Sequence, residues 1–317
     1  MGFWICVGLS LFRCALMASP SVLIVNANPL LNLVLPAAIA VGTIQRVPRL
    51  ETSAEGKGVN VARVLSALGH SVFVTGFAGG HSGAWLEELL SLEGLETRMI
   101  RTAAPMRMGF MAAPAEASHP TSILPQGFEV TQAEGEALIE ATAHLLDRNP
   151  SLMIISGGLP DPTLSALYPR LLELAWRQGI PAWLDAHGEG LKEALQAPHG
   201  PGLGKPNAEE LAECMDWVRV PELHITRGEA PATVMIEGKS VFDVIPPPLV
   251  QINPIGCGDC YLAGLAHGHL NGWSLEDRCR FASAAGAANA RRPDVAAIQM
   301  SDIMALIEGV TFAPSTA

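Results

Sequence analysis

The sequence is poor in positive charge. Its 317 residues include 20 lysines and arginines against 31 aspartates and glutamates, which gives a formal net charge of −11 at pH 7. No basic run or patch is evident, and this argues against a nucleic-acid-binding protein. If a chain of this charge binds an anionic ligand, it must do so with backbone amides and a few placed cations.

Cysteines are few and widely spaced, so they do not form a disulfide framework, and we expect a reducing, cytoplasmic location. They are Cys6, Cys14, Cys214, Cys257, Cys260 and Cys279. Cys257 and Cys260 form a C-x-x-C pair with His267 and His269 downstream, which leaves a zinc or redox site open. We favour small cysteines packed beside a turn, because structural zinc sites usually take their second ligand pair from a separate segment.

Long hydrophobic runs are missing from most of the chain, so we expect no contact with a membrane. The exception is residues 1–18, where an apolar stretch is too short to span a bilayer comfortably and is interrupted by Arg13. This stretch lacks the positively charged start of a signal peptide. We expect residues 1–20 to be a dispensable extension, or the result of a start codon assigned too far upstream.

Short apolar strands alternate with helices from residue 21 onward. Strands are expected at residues 22–25, 71–76, 152–155, 182–185, 223–226, 233–236 and 241–244. Helices are expected at residues 58–68, 82–92, 132–146, 163–178, 259–270, 275–291 and 301–308. The alternation predicts an α/β fold, with a mostly parallel sheet covered by helices on both faces, in one domain over residues 21–317.

Two segments break this rhythm. Residues 33–50 and 98–113 mix apolar and polar side chains without a helical period. They could be surface loops, or they could form a small β lid that emerges from the main sheet. We favour the lid, because two separate excursions can pair with each other.

A glycine-rich turn stands directly before the predicted helix at 259–270. Gly256 and Gly258 allow the backbone to gather its N–H groups, and the start of a helix adds a partial positive charge. Such a pocket suits a phosphate or an oxyanion, and the carboxylate of Asp259 beside it could deprotonate an alcohol. The pattern therefore favours phosphoryl transfer, although an ordinary turn and helix cap would look the same.

A second glycine motif opens the predicted helix at 58–68. Gly56 and Gly58 flank Lys57, and Asn60 falls in the first turn. Lys57 could bind an anionic group as a point charge, or it could be a solvated lysine at an ordinary helix start. Other glycines and polar residues also follow predicted strands, which favours a single cleft at the carboxyl ends of the strands.

Several motifs occur together in the order that is typical of one family. Residues 56–62 read GKGVNVA and residues 255–259 read IGCGD. The other matches are Asn28-Pro29, GFAGGHSG at 76–83, SGGLP at 156–160, DAHG at 185–188 and KPNAEE at 205–210. From about residue 21 to residue 298, the chain resembles the PfkB (ribokinase-like) carbohydrate kinase family, and is most similar to its 1-phosphofructokinase and tagatose-6-phosphate kinase branch.

The resemblance implies a ribokinase-like three-layer sandwich with a small β lid. It implies that ATP phosphorylates a sugar or a sugar phosphate, with a ketohexose phosphate favoured, and that lids pair in a homodimer. Asp259 would be the base for the acceptor hydroxyl, and Gly256, Cys257 and Gly258 would form the anion hole.

The resemblance also implies sites for ATP and Mg²⁺. Asn207 and Glu210 would help to place Mg²⁺ through water; the alternative is a plain helix cap with a surface glutamate. The residues implied at the nucleotide are Lys205 near its phosphates, Thr226 and Gly228 in the loop beside it, and Asn289 near the adenine.

The residues implied at the sugar are Asn32, Gly56, Lys57, Asn60 and Arg107. Arg107 matches an arginine that can meet a phosphate already present on the substrate. The alternative for Arg107 is an exposed charge at the edge of the lid.

The chain departs from the family pattern at several positions. Asn32 replaces an aspartate that holds sugar hydroxyls in the family, and Glu55 replaces the first glycine of a Gly-Gly-Lys-Gly pattern. Gly158 replaces a serine, and Pro231 replaces the last glycine of the ATP loop. Cys257 replaces a common alanine and should leave its backbone amide available.

These departures raise an alternative, a non-catalytic protein that binds a sugar phosphate or a nucleotide. Asp259, Asn207 and Glu210 are nevertheless all present. We favour the kinase, because a protein without catalysis has no need of them.

Overall fold

The computed structural model describes residues 21–114 and 119–315. The extension predicted over residues 1–20 lies outside the described residues, as do Cys6 and Cys14. Within the part of the chain that is described, no helix combines the length and apolar character needed to cross a membrane.

The strands and α-helices follow one another from residue 21 to residue 313. In chain order the strands are β1 (Ser21–Val25), β2 (Leu30–Leu35), β3 (Glu51–Glu55), β4 (Ser71–Phe77), β5 (Glu96–Ile100), β6 (Met108–Ala112), β7 (Thr121–Ile123), β8 (Leu152–Ser156), β9 (Ala182–Asp185), β10 (Leu203–Gly204), β11 (Glu222–Arg227), β12 (Ala230–Ile236), β13 (Lys239–Ile245) and β14 (Thr311–Ala313). The α-helices are α1 (Lys57–Ala67), α2 (Gly80–Leu92), α3 (Gln132–Leu146), α4 (Leu167–Arg177), α5 (Glu189–Gln196), α6 (Ala208–Glu213), α7 (Cys257–Leu270), α8 (Leu275–Ala290) and α9 (Met300–Met304).

The main sheet has the strand order β14-β13-β12-β11-β10-β9-β8-β1-β4-β5. Pairing is parallel from β11 to β5 and antiparallel from β11 to β14. The predicted mostly parallel sheet is therefore confirmed.

Helices cover both faces of the main sheet, as the alternation in β1 shows. Val22 and Ile24 belong to one hydrophobic cluster, which also contains side chains of α1, α7 and α8. Leu23 and Val25 belong to a second cluster, with side chains of α3, α4 and α5. Since successive side chains of a strand point to opposite faces, the three layers are helices, sheet and helices.

A small four-stranded sheet of order β3-β2-β6-β7 accompanies the main sheet. Its β2–β6 pair is parallel, and the other two pairs are antiparallel. The predicted segment 33–50 supplies the end of β2, and the predicted segment 98–113 supplies β6, while residues 98–100 belong to β5 at the edge of the main sheet. The α/β architecture with an added small sheet agrees with the fold expected from the sequence.

The helix predicted at residues 163–178 is interrupted. A short 3₁₀ helix, Pro162–Leu164, comes first, and α4 begins only at Leu167. Asp161 caps the 3₁₀ turn by accepting a hydrogen bond of 2.9 Å from the Thr163 N–H. Proline in the first position and an aspartate cap favour a separate helix start here.

Candidate active site

Asp259 lies in the first turn of α7, next to a tight glycine turn. Gly256 has a φ of +83°, a left-handed conformation that glycine adopts without strain. A Cβ on Gly256 would lie only 2.8 Å from Cγ1 of Val295. The first helical hydrogen bond runs from Cys260 N to Gly256 O at 2.9 Å. The N–H groups of Gly258 and Asp259 precede that bond and can therefore serve an anion.

The carboxylate of Asp259 is almost completely buried, with 7% of the residue exposed. Its Oδ2 accepts a hydrogen bond of 2.7 Å from Asn60 Nδ2. Burial raises the pKa of Asp259 to about 6, and the nearby carboxylate of Asp185 adds to the rise. Lys57, the Asn60 amide and Lys205 act on this pKa in the opposite direction. A carboxyl group with this pKa can exchange a proton near neutral pH.

Helix α1 begins against Asn26, which follows β1. The N–H of Val59 donates a hydrogen bond of 3.0 Å to Asn26 Oδ1, and Gly56 itself provides no side-chain cap. A Cβ on Gly56 would lie 2.5 Å from Asn26 Oδ1, and one on Gly58 would lie 2.7 Å from Asn26 Cβ. The two glycines thus let the helix approach β1 closely and place Lys57 at the strand ends.

Asp185, at the end of β9, is paired with two lysines. Its Oδ1 lies 3.2 Å from Lys57 Nζ, and its Oδ2 lies 3.6 Å from Lys205 Nζ. Burial by itself would raise the pKa of Asp185, but Lys205 and Lys57 hold it below its ordinary value. Lys57 Nζ also lies 2.5 Å from Glu210 Oε1. Burial opposes the charge on Lys57, yet Asp185 and Glu210 raise its pKa above the ordinary value.

Lys205 joins this charged cluster to the glycine turn. Its Nζ lies 3.1 Å from the position that a Cβ on Gly258 would occupy. Only 3% of Lys205 is exposed. An ammonium group and the first-turn amides of α7 therefore converge on one place, which suits a phosphoryl group.

Asn207 and Glu210 form a capping box at the start of α6. Asn207 Oδ1 accepts from Glu210 N at 2.8 Å, and Glu210 Oε2 accepts from Asn207 N at 2.9 Å. Glu210 is buried and contacts Lys57, so it is not the surface glutamate of the alternative interpretation. Both residues carry the oxygen atoms that Mg²⁺ prefers.

Mg²⁺ fits this part of the site only with help from other ligands. Among residues 21–114 and 119–315, no group of three or more His, Cys, Asp or Glu side chains could hold a metal ion on its own. Mg²⁺ usually keeps several waters and binds one or two carboxylates together with substrate phosphates. Asn207 and Glu210 meet that requirement.

Two of the predicted nucleotide residues, Thr226 and Gly228, lie at or just after the end of β11. Thr226 lies beside the capping box: its N–H donates to Pro206 O at 3.0 Å, and it forms a β-bridge with Asn207. Gly228 lies further out, in the exposed turn between β11 and β12, with a φ of +63°.

Asn289 is fully buried and ties α8 to the glycine turn. Its Nδ2 lies 2.7 Å from Ile255 O and 3.3 Å from Cys257 Sγ, and its Oδ1 accepts from Ala296 N at 2.7 Å. Burial raises the pKa of the Cys257 thiol. Cys260, one turn further along α7, packs in the hydrophobic core. The two cysteines therefore have separate surroundings.

Arg107 is held by backbone carbonyl groups. Its guanidinium donates to the carbonyl oxygens of Asn28 (2.8 Å), Pro29 (3.2 Å), Pro125 (2.9 Å) and Gln126 (3.4 Å). Burial lowers its pKa. The arginine thus joins the β1–β2 connection to the segment that follows β7.

Several polar groups at the sugar end are buried without a hydrogen-bond partner among the described residues. The atoms are Asn26 Nδ2, Asn28 Oδ1, Asn32 Oδ1 and Ser156 Oγ. Buried polar groups normally find partners, so these atoms mark a place where a polar ligand would be stabilised. The predicted sugar residues Asn32, Gly56, Lys57 and Asn60 border the same region.

Two residues of this site had no role in the sequence-based predictions. Asp185 entered as an acid after a strand and as part of the DAHG match, without an assigned role, whereas it pairs with both site lysines. His187 fills the space at Gly158: a Cβ there would lie 2.6 Å from His187 Nε2. Burial, followed by Lys57, lowers the pKa of His187. The one sequence feature that could have indicated the position of His187 is the glycine at residue 158, where the family pattern has a serine.

The site has the parts that phosphoryl transfer requires. A buried carboxylate can take a proton, and glycine-turn amides with Lys205 can hold a transferred phosphoryl group. Buried polar groups next to them can bind hydroxyls. This combination suits transfer of a phosphoryl group to an alcohol.

Comparison with known proteins agrees with this chemistry. The family model described as "pfkB family carbohydrate kinase" matches residues 31–301. Tagatose-6-phosphate kinase from Staphylococcus epidermidis is 27% identical over 289 residues, which cover 85% of this chain and 92% of that protein.

Solved structures share the fold. A possible 1-phosphofructokinase from Thermotoga maritima superposes with a TM-score of 0.83 at 20% identity, covering 93% of this chain and all of the other. Phosphofructokinase-2 from Escherichia coli, in complex with potassium, gives a TM-score of 0.81 at 22% identity, covering 91% and 98% of the two chains. These likenesses confirm the ribokinase-like fold expected from the sequence.

Proposed function

The chain belongs to the pfkB family of carbohydrate kinases, and we propose that it transfers the γ-phosphoryl group of ATP to a hydroxyl of a ketohexose phosphate. The observation that carries this proposal is the buried Asp259 carboxylate, held by Asn60 beside the Gly256–Gly258 turn. A base next to an anion hole is the arrangement that in-line transfer to an alcohol needs.

Asp259 acts as the general base. It accepts the proton of the acceptor hydroxyl as the hydroxyl oxygen forms its bond to the γ-phosphorus, and the bond from that phosphorus to the ADP oxygen breaks. With a pKa raised to about 6, Asp259 is mainly ionised at neutral pH and is also a stronger base than an ordinary carboxylate. Of the predicted anion-hole amides, that of Cys257 donates to Pro254 O at 3.3 Å. The Gly258 and Asp259 amides and the Lys205 ammonium stabilise the charge on the moving group.

The nucleotide lies along the ends of β10 and β11. Lys205 pairs with its phosphates, Thr226 and Gly228 border it, and Asn289 lies near the adenine end. Asn207 and Glu210 are the residues that would hold Mg²⁺, with water molecules completing its coordination. When bound, this ion neutralises charge on the β- and γ-phosphates.

Two observations support a phosphorylated acceptor. The related Staphylococcus epidermidis protein is named for a sugar phosphate. Arg107 also contacts Asn28, and Lys57 follows Gly56, which packs on Asn26, so two cations stand near buried polar groups of the predicted sugar site. In this proposal, Arg107 uses an N–H that its backbone contacts leave over to meet the phosphate already on the substrate.

The small sheet acts as the lid, and two lids form a homodimer. The support is apolar exposure on and beside this sheet: 93% of Val41, 84% of Ile44 and 62% of Ile123 are exposed. Pairing of two lids would cover such exposed apolar side chains, and exposed apolar surface is a mark of interaction sites. Light scattering after gel filtration tests the dimer, and a monomer at micromolar concentration would contradict it.

The test of the function is an ATP-consumption screen over fructose 1-phosphate, fructose 6-phosphate, tagatose 6-phosphate and the unphosphorylated sugars. We expect turnover of at least one ketohexose phosphate. Asp259→Asn should abolish it, while Asp147→Asn, an exposed aspartate at the end of α3, should leave it unchanged. No turnover of any of these compounds, or equal turnover by Asp259→Asn, would contradict the proposal.

A further inference from the structure

Asn32 on β2 and Glu55 on β3 contact each other across the small sheet. Asn32 Nδ2 donates a hydrogen bond of 3.0 Å to Glu55 Oε1. In this antiparallel pair, Leu30 stands opposite Glu55, and Asn32 stands opposite Ser53. Since opposite residues and residues two apart share a face, Asn32 and Glu55 are diagonal neighbours on one face of the sheet.

The Nδ2 group of Asn32 has a hydrogen-bond partner, but its Oδ1 atom has none among the described residues. Only 1% of the residue is exposed, and its Oδ1 has no hydrogen-bond partner within residues 21–114 and 119–315. A buried acceptor without a partner destabilises a fold. A ligand that brings a hydroxyl to this oxygen would remove the penalty.

The neighbouring strand packs closely against this oxygen. Gly109 on β6 is aligned with Asn32, and a Cβ at that position would lie 2.9 Å from Asn32 Oδ1. It would also lie 2.8 Å from Leu124 Cδ2. A side chain at residue 109 would therefore collide with Asn32 and Leu124, so the glycine is needed for Asn32 to keep this position.

Glu55 determines which end of the Asn32 amide is free. An ionised carboxylate only accepts hydrogen bonds, so it binds the NH₂ group of the amide and leaves the oxygen pointing elsewhere. Burial raises the pKa of Glu55, but hydrogen bonds from Asn32 and Ser53 and the charge of Arg63 favour its ionised form.

The pair stands next to the proposed sugar site. Glu55 is followed directly by Gly56 and Lys57, which begin α1 beside Asp185. Asn28 lies four residues before Asn32 and also has a buried, unpartnered oxygen, Oδ1. Several acceptors in one buried region fit a ligand with several hydroxyl groups.

Asn32 is already one of the residues predicted at the sugar. We propose that Glu55 is a positioning residue for it, which fixes the orientation of the Asn32 amide so that Oδ1 is left to accept a hydrogen bond from a sugar hydroxyl. Asn32 is the binding residue, and Glu55 is a positioning residue. This inference rests on the proposed function, since it adds Glu55 to the residues predicted at the same sugar.

The proposal explains why two departures from the family pattern occur together. Residue 32 is an aspartate and residue 55 a glycine in that pattern. An aspartate at 32 would place a second carboxylate about 3 Å from Glu55, where like charges repel. The two changes therefore belong together. In the family pattern the carboxylate is on β2 at residue 32, whereas in this chain it is on β3 at residue 55 and an amide oxygen faces the sugar.

A double-mutant cycle tests this coupling. The proteins are wild type, Asn32→Asp, Glu55→Gly and the double variant, with KM and kcat measured for the sugar phosphate that the wild type turns over fastest. We expect each single variant to raise the sugar KM about tenfold, with a smaller change in kcat. The double variant should return to within about threefold of the wild type.

Two further variants separate positioning from structure. Glu55→Gln keeps the size of Glu55 but can also donate, so the Asn32 amide can turn over, and the sugar KM should rise while the ATP KM stays constant. Glu51→Gln changes an exposed glutamate on the same strand and should change neither constant. Thermal unfolding of each variant shows whether it is folded.

The outcomes are distinguishable from a failure of the proposed function. Calorimetric titration of the four proteins with fructose 6-phosphate and tagatose 6-phosphate measures the same coupling without catalysis. If the sugar affinities of the four proteins are coupled but the wild type has no turnover, the kinase reaction is overturned and the pair is supported. Additive single-variant effects, or unchanged sugar affinity in folded Glu55→Gly, would overturn the pair while the kinase reaction stands.

Discussion

Asn60 donates a hydrogen bond of 2.7 Å to Asp259, a residue 199 positions further along the chain. The bond joins the first turn of α1 to the first turn of α7. Arg63 Nη1, one turn along α1, lies 3.3 Å from Asn60 Oδ1 and is itself paired with Glu93. The amide of Asn60 is therefore fixed at both ends, and it holds the carboxylate in one orientation.

Removing this bond should impair Asp259 as the general base, because the carboxylate loses its fixed orientation and is protonated up to a higher pH. In Asn60→Ala, the charged form of Asp259 loses a hydrogen bond of the kind that contributes about 1.5–3 kcal/mol. We expect kcat to fall about tenfold or more and the acidic limb of the pH–rate profile to move to higher pH. Asn271→Ala, at the far end of α7, is the control. An unmoved limb would show that Asn60 does not act on Asp259.

The wild-type rate should depend on the ionisation of Asp259. A protonated carboxyl group cannot accept a proton, so kcat/KM should rise with pH through about 6 and then level off. The measurement is a pH–rate profile over the range in which circular dichroism shows a folded protein. A rate that is constant down to pH 4.5 would contradict the assignment.

The same raised pKa predicts an effect on stability. A carboxyl group whose pKa is higher in the folded state stabilises the fold while it is protonated, below about pH 3.8, and loses that contribution as pH rises through about 6. Asp259→Asn replaces the carboxylate by a neutral amide, so no charge has to be buried on folding above about pH 6. At pH 8 the variant should therefore be more stable than the wild type, by about 1–3 kcal/mol.

Urea unfolding at pH 8 and at pH 5 measures this difference. The gain of Asp259→Asn over the wild type should be larger at pH 8 than at pH 5. If the variant is less stable than the wild type at pH 8, the ionised carboxylate of Asp259 stabilises the fold, and this would contradict the raised pKa.

Asp185 should contribute strongly to stability, because it neutralises two lysines in the interior. In Asp185→Asn, the nearly buried Lys205 loses the carboxylate that lies 3.6 Å away. Breaking a buried ion pair by removing one partner typically destabilises a protein by about 3–5 kcal/mol.

Chemical denaturation of Asp185→Asn checks this expectation. Glu189→Gln, which breaks the exposed pair with Lys192, is the matched control and should change the free energy of unfolding by less than about 1 kcal/mol. An Asp185→Asn variant as stable as the control variant would exclude a role for Asp185 as the counter-ion of the site.

Most of the fold can be predicted from the sequence, because the apolar residues of most strands and helices follow a recognisable pattern. The buried strands β1, β8 and β9 are short apolar runs, and α3 carries a complete capping box from Thr131 to Glu134. Helix α5 was not predicted, although Leu191, Ala194 and Leu195 are buried at helical spacing. Its eight residues are too few for a strong periodic signal, and α6 is shorter still.

The site could be predicted in part. Glycine turns before helices indicate an anion site from local sequence alone, and this identified the turn at Gly256 and the start of α1. The pairing of Asp185 with Lys57 and Lys205, by contrast, depends on strand order, which no local pattern contains. The contact between Asn32 and Glu55 likewise depends on the register of β2 and β3.

The most direct test of the central claim is the kcat of Asp259→Asn on the acceptor that the wild type phosphorylates fastest. ATP and sugar binding are measured on the same preparation by calorimetry. We expect kcat to fall by about 10²- to 10⁴-fold, the usual contribution of a general base, while both ligands still bind. A variant that binds both ligands and keeps more than a tenth of the wild-type kcat would contradict the assignment of Asp259 as the base.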